Sequence, residues 1–180
     1  MKRIKKILVF ICFVAIAQSS MYAQNYKLPE FNKFKLDNGL TIYLMEQHDV
    51  PVISIAAILP GGAIYDGNKS GLAQLTALSL KHGTKKFSKA QIDEKLDFVG
   101  ANVDVSASKE YVSLSSKFAA KDRNEVITII NELLRYPIFD KDEFEKEKSR
   151  VLVELEQQKE SPRSMIGNYF DKVLYGDHVY

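Results

Sequence analysis

The apolar segment of residues 52–59 places the strongest constraint on how this 180-residue chain can fold. It reads Val-Ile-Ser-Ile-Ala-Ala-Ile-Leu, which is rich in β-branched side chains, and Pro60-Gly61-Gly62 follows it directly. A short apolar run that ends at turn residues is typical of a strand that is buried on both faces of a sheet. We therefore expect a β-sheet in which residues 52–59 form a central strand.

Four other segments alternate apolar and polar residues in the manner of strands. Residues 34–36 and 40–45 flank Asp37-Asn38-Gly39, which is a strong hairpin signal because Asn and Gly tolerate the positive φ of a tight turn. Residues 102–108 and 110–118 predict two further strands, which we expect to be antiparallel neighbours.

Helical patterns occupy much of the rest of the chain. The first predicted helix covers residues 70–81, and the second follows a capping box of Ser88 and Gln91 and closes at Gly100. The third, residues 122–136, has one strongly apolar side. The residues that we expect this third helix to bury are Val126, Ile127, Ile129, Ile130, Leu133 and Leu134.

Two more helices are expected after Pro137. A long, charged helix begins at Asp140, and Ser161-Pro162 separates it from a helix over residues 163–174. The charged helix is expected to bury one stripe, formed by Phe144, Val151, Leu152 and Leu155. Strands, helices, a strand pair and further helices predict an α+β fold, a two-layer sandwich in which a mostly antiparallel sheet is backed by helices.

The first 23 residues have the organisation of a secretory signal peptide. Four basic residues precede an apolar run over residues 7–17, which is too short to span a bilayer, and small and polar residues follow. We expect residues 1–23 to be the signal and residues 24–30 to be a linker. The exported chain would then be periplasmic or secreted, with no stable membrane anchor after cleavage.

The charge of the chain gives no reason to expect a nucleic-acid partner. Twenty-five basic and 23 acidic residues give a net charge of +2, and removal of the four basic residues of the leader leaves 21 − 23 = −2. The remaining basic residues are interleaved with acidic ones rather than gathered in a stripe. The single cysteine, Cys12, lies in the leader, so the exported part has no disulfide or thiolate site.

The first predicted helix carries the most specific motif. Residues 71–78 read Gly-Leu-Ala-Gln-Leu-Thr-Ala-Leu, and Gly83-Thr84 follows. This frame resembles the catalytic helix of the insulinase, pitrilysin and mitochondrial processing peptidase family, which runs Gly-x-Ala-His-x-x-Glu-His before Gly-Thr. The positions of the two histidines and the glutamate are occupied here by Gln74, Leu78 and Ala77.

The resemblance extends without gaps over most of residues 30–180. Glu154 lies 80 residues after Gln74, where the family has its third zinc ligand. The other segments in register are residues 34–43, 51–58 and 61–66, Gly100-Ala101, Glu110, Lys121-Asp122, Glu147 and residues 151–155.

The resemblance implies zinc in active relatives, which two histidines on one helix face and the distal glutamate would hold. Gln74, Ala77 and Leu78 offer a neutral amide, a methyl and an isobutyl group, so we expect no catalytic residue and no cofactor in this segment. Glu154 would be a vestigial ligand. A replacement site built from His82 and Glu154 is a weaker alternative.

The resemblance also implies a longer polypeptide. Residues 174–180 are similar to a Gly-x-His-Pro-Tyr stretch that leads into another strand in the family. We therefore expect residues 31–180 to be an incomplete, C-terminally truncated N-terminal peptidase-like domain.

Three functions remain open. The chain could be an exported non-catalytic partner of an active insulinase-like peptidase subunit, the structural half of a longer zinc metalloendopeptidase, or a stand-alone peptide-binding protein. In the first two, its partner is the active subunit or the second half of the same protein, and the ligand is a peptide or an unfolded polypeptide. The expected peptide-binding residues are Asn102, Val103, Asp104 and Val105, whose backbone could add a strand to the sheet; a plain edge strand is the alternative.

Overall fold

The structure, a computed structural model, describes residues 29–176 and residue 178. The expected signal peptide and residues 24–28 of the linker lie outside the described residues. The described residues divide into two compact units, the first ending at Asp49 and the second beginning at Val50.

The first unit contains the predicted hairpin. Strands β1 (Asn32–Lys35) and β2 (Thr41–Leu44) pair antiparallel, with Lys35 opposite Thr41 next to the turn. Gly39 has a φ of 89°, and the Leu40 N–H donates to the Asn38 side chain at 3.1 Å. The turn chemistry that the sequence indicated therefore forms the hairpin.

The second unit contains three strands and five helices among the described residues. The strands are β3 (Val52–Pro60), β4 (Asn102–Ala107) and β5 (Tyr111–Ala119), and the helices are α1 (Leu72–Ser79), α2 (Lys89–Phe98), α3 (Arg123–Arg135), α4 (Lys141–Lys159) and α5 (Pro162–Tyr175). Short 3-10 turns lie at Ala63–Tyr65, Leu80–His82 and Ala120–Asp122.

The sheet of the second unit is antiparallel, and its strand order is β3-β5-β4. The strand pair β4 and β5 is confirmed. The expectation of a buried, central strand over residues 52–59 was wrong for the described residues, because β5 is central and β3 pairs with β5 alone. Alternate residues of β3 face solvent, and Ile58 is 72% exposed, so the apolar run reflects a half-buried strand.

Helices cover one face of this sheet. The inward residues of β4 and β5 include Val103, Val105, Leu114 and Phe118, all buried. They join one core cluster with Ala77 of α1, Ile92 and Leu96 of α2, and Val126, Ile129, Ile130 and Leu133 of α3. The fold is thus the expected α+β arrangement, with an antiparallel sheet and a helical layer.

Local capping signals explain where the helices begin. Ser88 and Gln91 form both hydrogen bonds of the predicted capping box. The Asp140 carboxylate accepts from the N–H groups of Asp142 and Glu143. Ser161 caps α5 in the same way, by accepting from the Ser164 N–H.

Four apolar residues that we expected to be buried in α3 and α4 are exposed. They are Ile127 and Leu134 of α3 and Leu152 and Leu155 of α4. Val151 is the only buried residue of α4, so its predicted stripe is narrower than the spacing suggested. None of the helices in the described part of the chain combines the length and apolar character needed to cross a membrane.

Candidate functional site

Helix α1 is held at its N-terminus by a carboxylate from the preceding loop. Gly71, at the N-cap, has no side chain to accept a hydrogen bond, and its φ of 88° is left-handed. Asp66 supplies the missing acceptors: Oδ2 accepts from the Gly71 N–H and Oδ1 from the Ala73 N–H, each at 2.8 Å. The acidic residue that the family has before its motif helix is therefore an N-terminal cap in this chain.

The three altered motif positions lie on α1 in different environments. Gln74 is exposed, Leu78 is partly buried, and Ala77 is 1% exposed and belongs to the core cluster. Gln74 and Leu78 are four residues apart and so share one side of the helix. Ala77 therefore contributes its methyl group to the core and carries no group that could act as a base.

Glu154, the position of the third ligand in the family, lies on α4, which packs against α1. Its side chain is half exposed, and its Oε1 accepts a hydrogen bond from Nη1 of Arg150. The other end of the Arg150 guanidinium binds Glu147 through Nη2 and, at 3.4 Å, through Nε. Glu154 is therefore one member of a carboxylate pair that Arg150 bridges.

His82 follows α1 and faces the same acidic helix. Its Nε2 lies 3.8 Å from Oε2 of Glu147, and its Nδ1 is buried without a hydrogen-bond partner among the described residues. Burial of the imidazole is the main cause that lowers the pKa of His82 below 6.5, and Lys89 adds to it. The carboxylates of Glu147, Glu143 and Asp140 oppose this shift.

Sequence reasoning missed the contact between His82 and Glu147. The sequence suggested Glu154 as a partner of His82, whereas the structure pairs His82 with Glu147, two turns earlier on α4. No spacing rule links two residues 65 positions apart, so the sequence held no signal for this pair.

These residues do not fit a catalytic zinc ion. Such a site requires three nitrogen or oxygen ligands and one open position. Within residues 29–176 and 178, no group of three or more His, Cys, Asp or Glu side chains is arranged to hold a metal ion. The chemistry of the α1 positions agrees, because neither Ala77 nor Leu78 carries a donor atom and Glu154 is already bound to Arg150.

The four residues expected to bind peptide lie on β4, at one edge of the described sheet. Ser108 donates its N–H to the Tyr111 carbonyl at 2.8 Å, which fixes the hydrogen-bonded rows of the antiparallel pair. Since such rows alternate, the backbone of Asn102 and Asp104 faces β5, whereas that of Val103 and Val105 faces away.

Helix α1 packs close to this edge strand. Nζ of Lys81, one residue before His82, lies 3.9 Å from Oδ1 of Asp104. Among the described residues, the outward backbone groups of β4 make no backbone hydrogen bond to another element. The edge strand and the altered helix thus form one continuous region of the second unit.

Comparisons with known proteins agree with these features. Residues 41–178 match the family model described as "Insulinase (Peptidase family M16)". The chain is 24% identical over 147 residues to an uncharacterized zinc protease, YmxG, of Bacillus subtilis, and 34% identical over 117 residues to the non-peptidase homolog YmxG of Helicobacter pylori. These alignments cover 81% and 64% of this chain.

A solved structure shows the same fold. It is the peptidase M16 inactive domain from Pseudomonas fluorescens, with a TM-score of 0.80 and 24% identity over 84% of this chain. The chain spans only part of the length of these proteins: 36% of the Bacillus protein, 27% of the Helicobacter protein and 37% of the Pseudomonas chain. The matched family model covers more than half of the chain and includes Gln74, Ala77 and Leu78, the residues that the resemblance equates with the motif positions. The chain belongs to the insulinase family, peptidase family M16.

Proposed function

We propose that this chain is an exported, non-catalytic homologue of insulinase-type zinc peptidases that serves as scaffold and partner in a peptidase chamber. One observation carries the proposal: α1 presents an amide, a methyl and an isobutyl group where hydrolysis needs two metal ligands and a base. The leader-like composition of residues 1–23 supports export to the periplasm or the medium. The partner would be an active insulinase-like subunit.

The remaining activity would be recognition of an extended peptide. A peptide strand that lies along β4 can pair with the outward N–H and C=O groups of Val103 and Val105. Their side chains are buried in the core, so this pairing depends on the backbone and is tolerant of peptide sequence. Binding of this kind suits a chamber that receives short or unfolded polypeptides and delivers them to a catalytic subunit.

A second function is favoured by the length of the relatives. Because the chain spans about a third of them, it can be the structural half of a longer zinc metalloendopeptidase whose active motif follows residue 180. A stand-alone peptide-binding protein is the third possibility. Extending the reading frame and reading its neighbour separates them: a His-x-x-Glu-His motif in the same frame supports the second function, and one in an adjacent gene supports the first.

Peptide binding can be tested with a fluorescently labelled, unstructured peptide and fluorescence anisotropy. We expect saturable binding to the unmodified protein and loss of binding when alternate amides of the peptide are N-methylated, because each methyl group removes one strand hydrogen bond. Val105→Pro removes one outward donor at an edge strand, where proline is tolerated, and should weaken binding. Val105→Ala, which shortens the same side chain but keeps the outward N–H, is the matched control and should bind more tightly than Val105→Pro.

The absence of hydrolysis is a separate measurement. The purified protein is incubated with zinc and the same peptide, and cleavage is followed by mass spectrometry. Cleavage that disappears in Glu154→Gln contradicts the non-catalytic assignment. Equal binding of the N-methylated peptide contradicts strand pairing at β4 and leaves the non-catalytic assignment in place.

A further inference from the structure

Arg150 binds two carboxylates of helix α4, those of Glu147 and Glu154. Glu147, Arg150 and Glu154 are spaced at i, i+3 and i+7, so α4 places them on one side. The guanidinium reaches both acids: Nη2 binds Glu147 Oε1, and Nη1 binds Glu154 Oε1. One planar cation therefore binds both carboxylates and offsets half of the negative charge that they bring to this side of the helix.

The bridged pair is partly removed from solvent. The Glu147 side chain retains little exposure and also faces His82, whereas the Glu154 and Arg150 side chains are half exposed. The hydrogen bond from Arg150 is the main cause that lowers the pKa of Glu147, so its carboxylate is held in the charged form. A divalent cation at Glu154 would have to displace the guanidinium or lie beside it, and like charges repel at such short range.

We propose that Arg150 is the resident cation of this altered site, and that its bridge between Glu147 and Glu154 excludes a metal ion independently of the substitutions on α1. The inability to hold zinc thus has two separate causes. One is the loss of ligands at Gln74 and Leu78. The other is the engagement of Glu154, the one ligand position that keeps its carboxylate.

The proposal can be tested by restoring the motif with and without the arginine. The restored protein carries Gln74→His, Ala77→Glu and Leu78→His, and it is compared with the same protein that also carries Arg150→Gln. Lys148→Gln in the restored background is the matched control, because it removes a positive charge from α4 that contacts Glu145 rather than the bridged pair. Zinc affinity is measured by competition with a chromophoric chelator, and bound zinc by elemental analysis after dialysis.

We expect Arg150→Gln to tighten zinc binding at least about tenfold relative to the restored protein, which is the order expected when a charge-assisted hydrogen bond no longer has to be broken. Lys148→Gln should leave the affinity of the restored protein unchanged. Equal affinities with and without Arg150 would overturn the proposal. So would a folded protein with Arg150→Gln that binds no zinc, because Glu154 would then not be a ligand position at all.

Because Ala77→Glu alters a buried position and Leu78→His a partly buried one, a pair of milder variants provides a second test. Gln74→His changes an exposed position only, and it is measured with and without Arg150→Gln. Cu²⁺ is the probe, since a given site of nitrogen and oxygen ligands generally binds it more tightly than the other divalent first-row metals. The expected result is tighter Cu²⁺ binding in the double variant, and an unchanged affinity contradicts the proposal. Peptide binding at β4 should be the same in all these proteins, which separates this test from that of the proposed function.

Discussion

Nε2 of His82 lies 3.8 Å from Oε2 of Glu147, and the two side chains keep only 7% and 14% of their solvent exposure. This contact joins the end of the altered motif helix to the acidic helix α4. It brings a titratable base, whose Nδ1 has no hydrogen-bond partner among the described residues, against a carboxylate that Arg150 holds ionised. The geometry gives the fold a defined response to pH.

The stability of the fold should decrease as the pH is lowered, in a pH window that the titration of His82 defines. Burial lowers its pKa in the folded chain, so the unfolded chain, which titrates near about 6.5, binds a proton at pH values where the folded chain does not. The contribution of His82 is therefore complete above about pH 6.5 and is lost as the pH falls through the lower, folded pKa. Urea unfolding at a series of pH values measures this slope, and His82→Gln should flatten it in that window.

A second histidine gives the control for this measurement. His48 is highly exposed and lies in the first unit, so His48→Gln removes a histidine that is not buried. Its slope should match that of the unmodified protein. An unchanged slope in His82→Gln would show that the buried imidazole is not the group responsible.

Carboxylates should make stability depend on pH in a lower pH range, and Glu143 is the clearest case. Hydrogen bonds from Lys146 and, next, Lys89 lower the pKa of Glu143 to about 2. Both contacts are 2.7 Å long, and the one to Lys89 ties α4 to the start of α2. Since the pKa of this acid is lowered on folding, its contribution is present above about pH 4.5 and is lost as the pH falls toward 2.

We accordingly expect Glu143→Gln to be less stable than the unmodified protein at neutral pH, with a difference that shrinks below about pH 4.5 and in high salt. Urea unfolding at two salt concentrations measures both effects. The control is Glu145→Gln, whose only ion pair among the described residues is a 3.6 Å contact with Lys148 on the same helix. A difference between Glu143→Gln and the unmodified protein that stays constant down to about pH 3 would contradict this assignment.

The contribution of the α1 cap to stability can be measured with variants of Asp66. Asp66→Ala removes the acceptors of two N–H groups and should lower the unfolding free energy by about 0.5–2 kcal/mol, the range found for lost helix caps. Asp66→Asn keeps one acceptor oxygen and should cost less. Asp93→Ala, on the exposed side of α2, controls for the loss of an acidic side chain. If Asp66→Ala and Asp93→Ala lower the unfolding free energy equally, Asp66 does not cap α1.

The sequence was most informative where structure depends on neighbours in the chain. Asp37-Asn38-Gly39 predicted the hairpin because turn geometry is set by the residues in the turn. Ser88 and Gln91 predicted the start of α2 for the same reason, since both partners of the capping box lie within one turn. The resemblance to the motif could be recognised because its frame lies within one short segment, residues 71–78.

The sequence was least informative where structure depends on distant partners. The apolar content of residues 52–59 indicated a strand but not its place in the sheet, which β5 decides by pairing with both of its neighbours. The engagement of Glu154 by Arg150 lies within one helix and could have been inferred from the spacing of four residues. The contact of Glu147 with His82 could not, because it exists only once α1 and α4 pack together.

Gly62 should be among the least replaceable residues of the loop before α1. Its φ of 137° is a conformation that residues with a side chain rarely adopt, and a Cβ there would lie 2.7 Å from the Tyr111 nitrogen and 2.8 Å from the Lys109 oxygen. Because these atoms are backbone, they cannot move aside without disturbing the turn between β4 and β5. We expect Gly62→Ala to cost several kcal/mol, roughly 3 or more, as a strained and overpacked position does.

Gly67 in the same loop is the matched control. Its φ is also positive, at 56°, but a Cβ there would meet no atom within 4 Å. Gly67→Ala should therefore cost only the left-handed backbone strain, about 1 kcal/mol. Urea unfolding of the two variants separates the steric contribution from the conformational one. If both alanines cost the same, the close approach of Gly62 to the β4–β5 turn is not what requires glycine at this position.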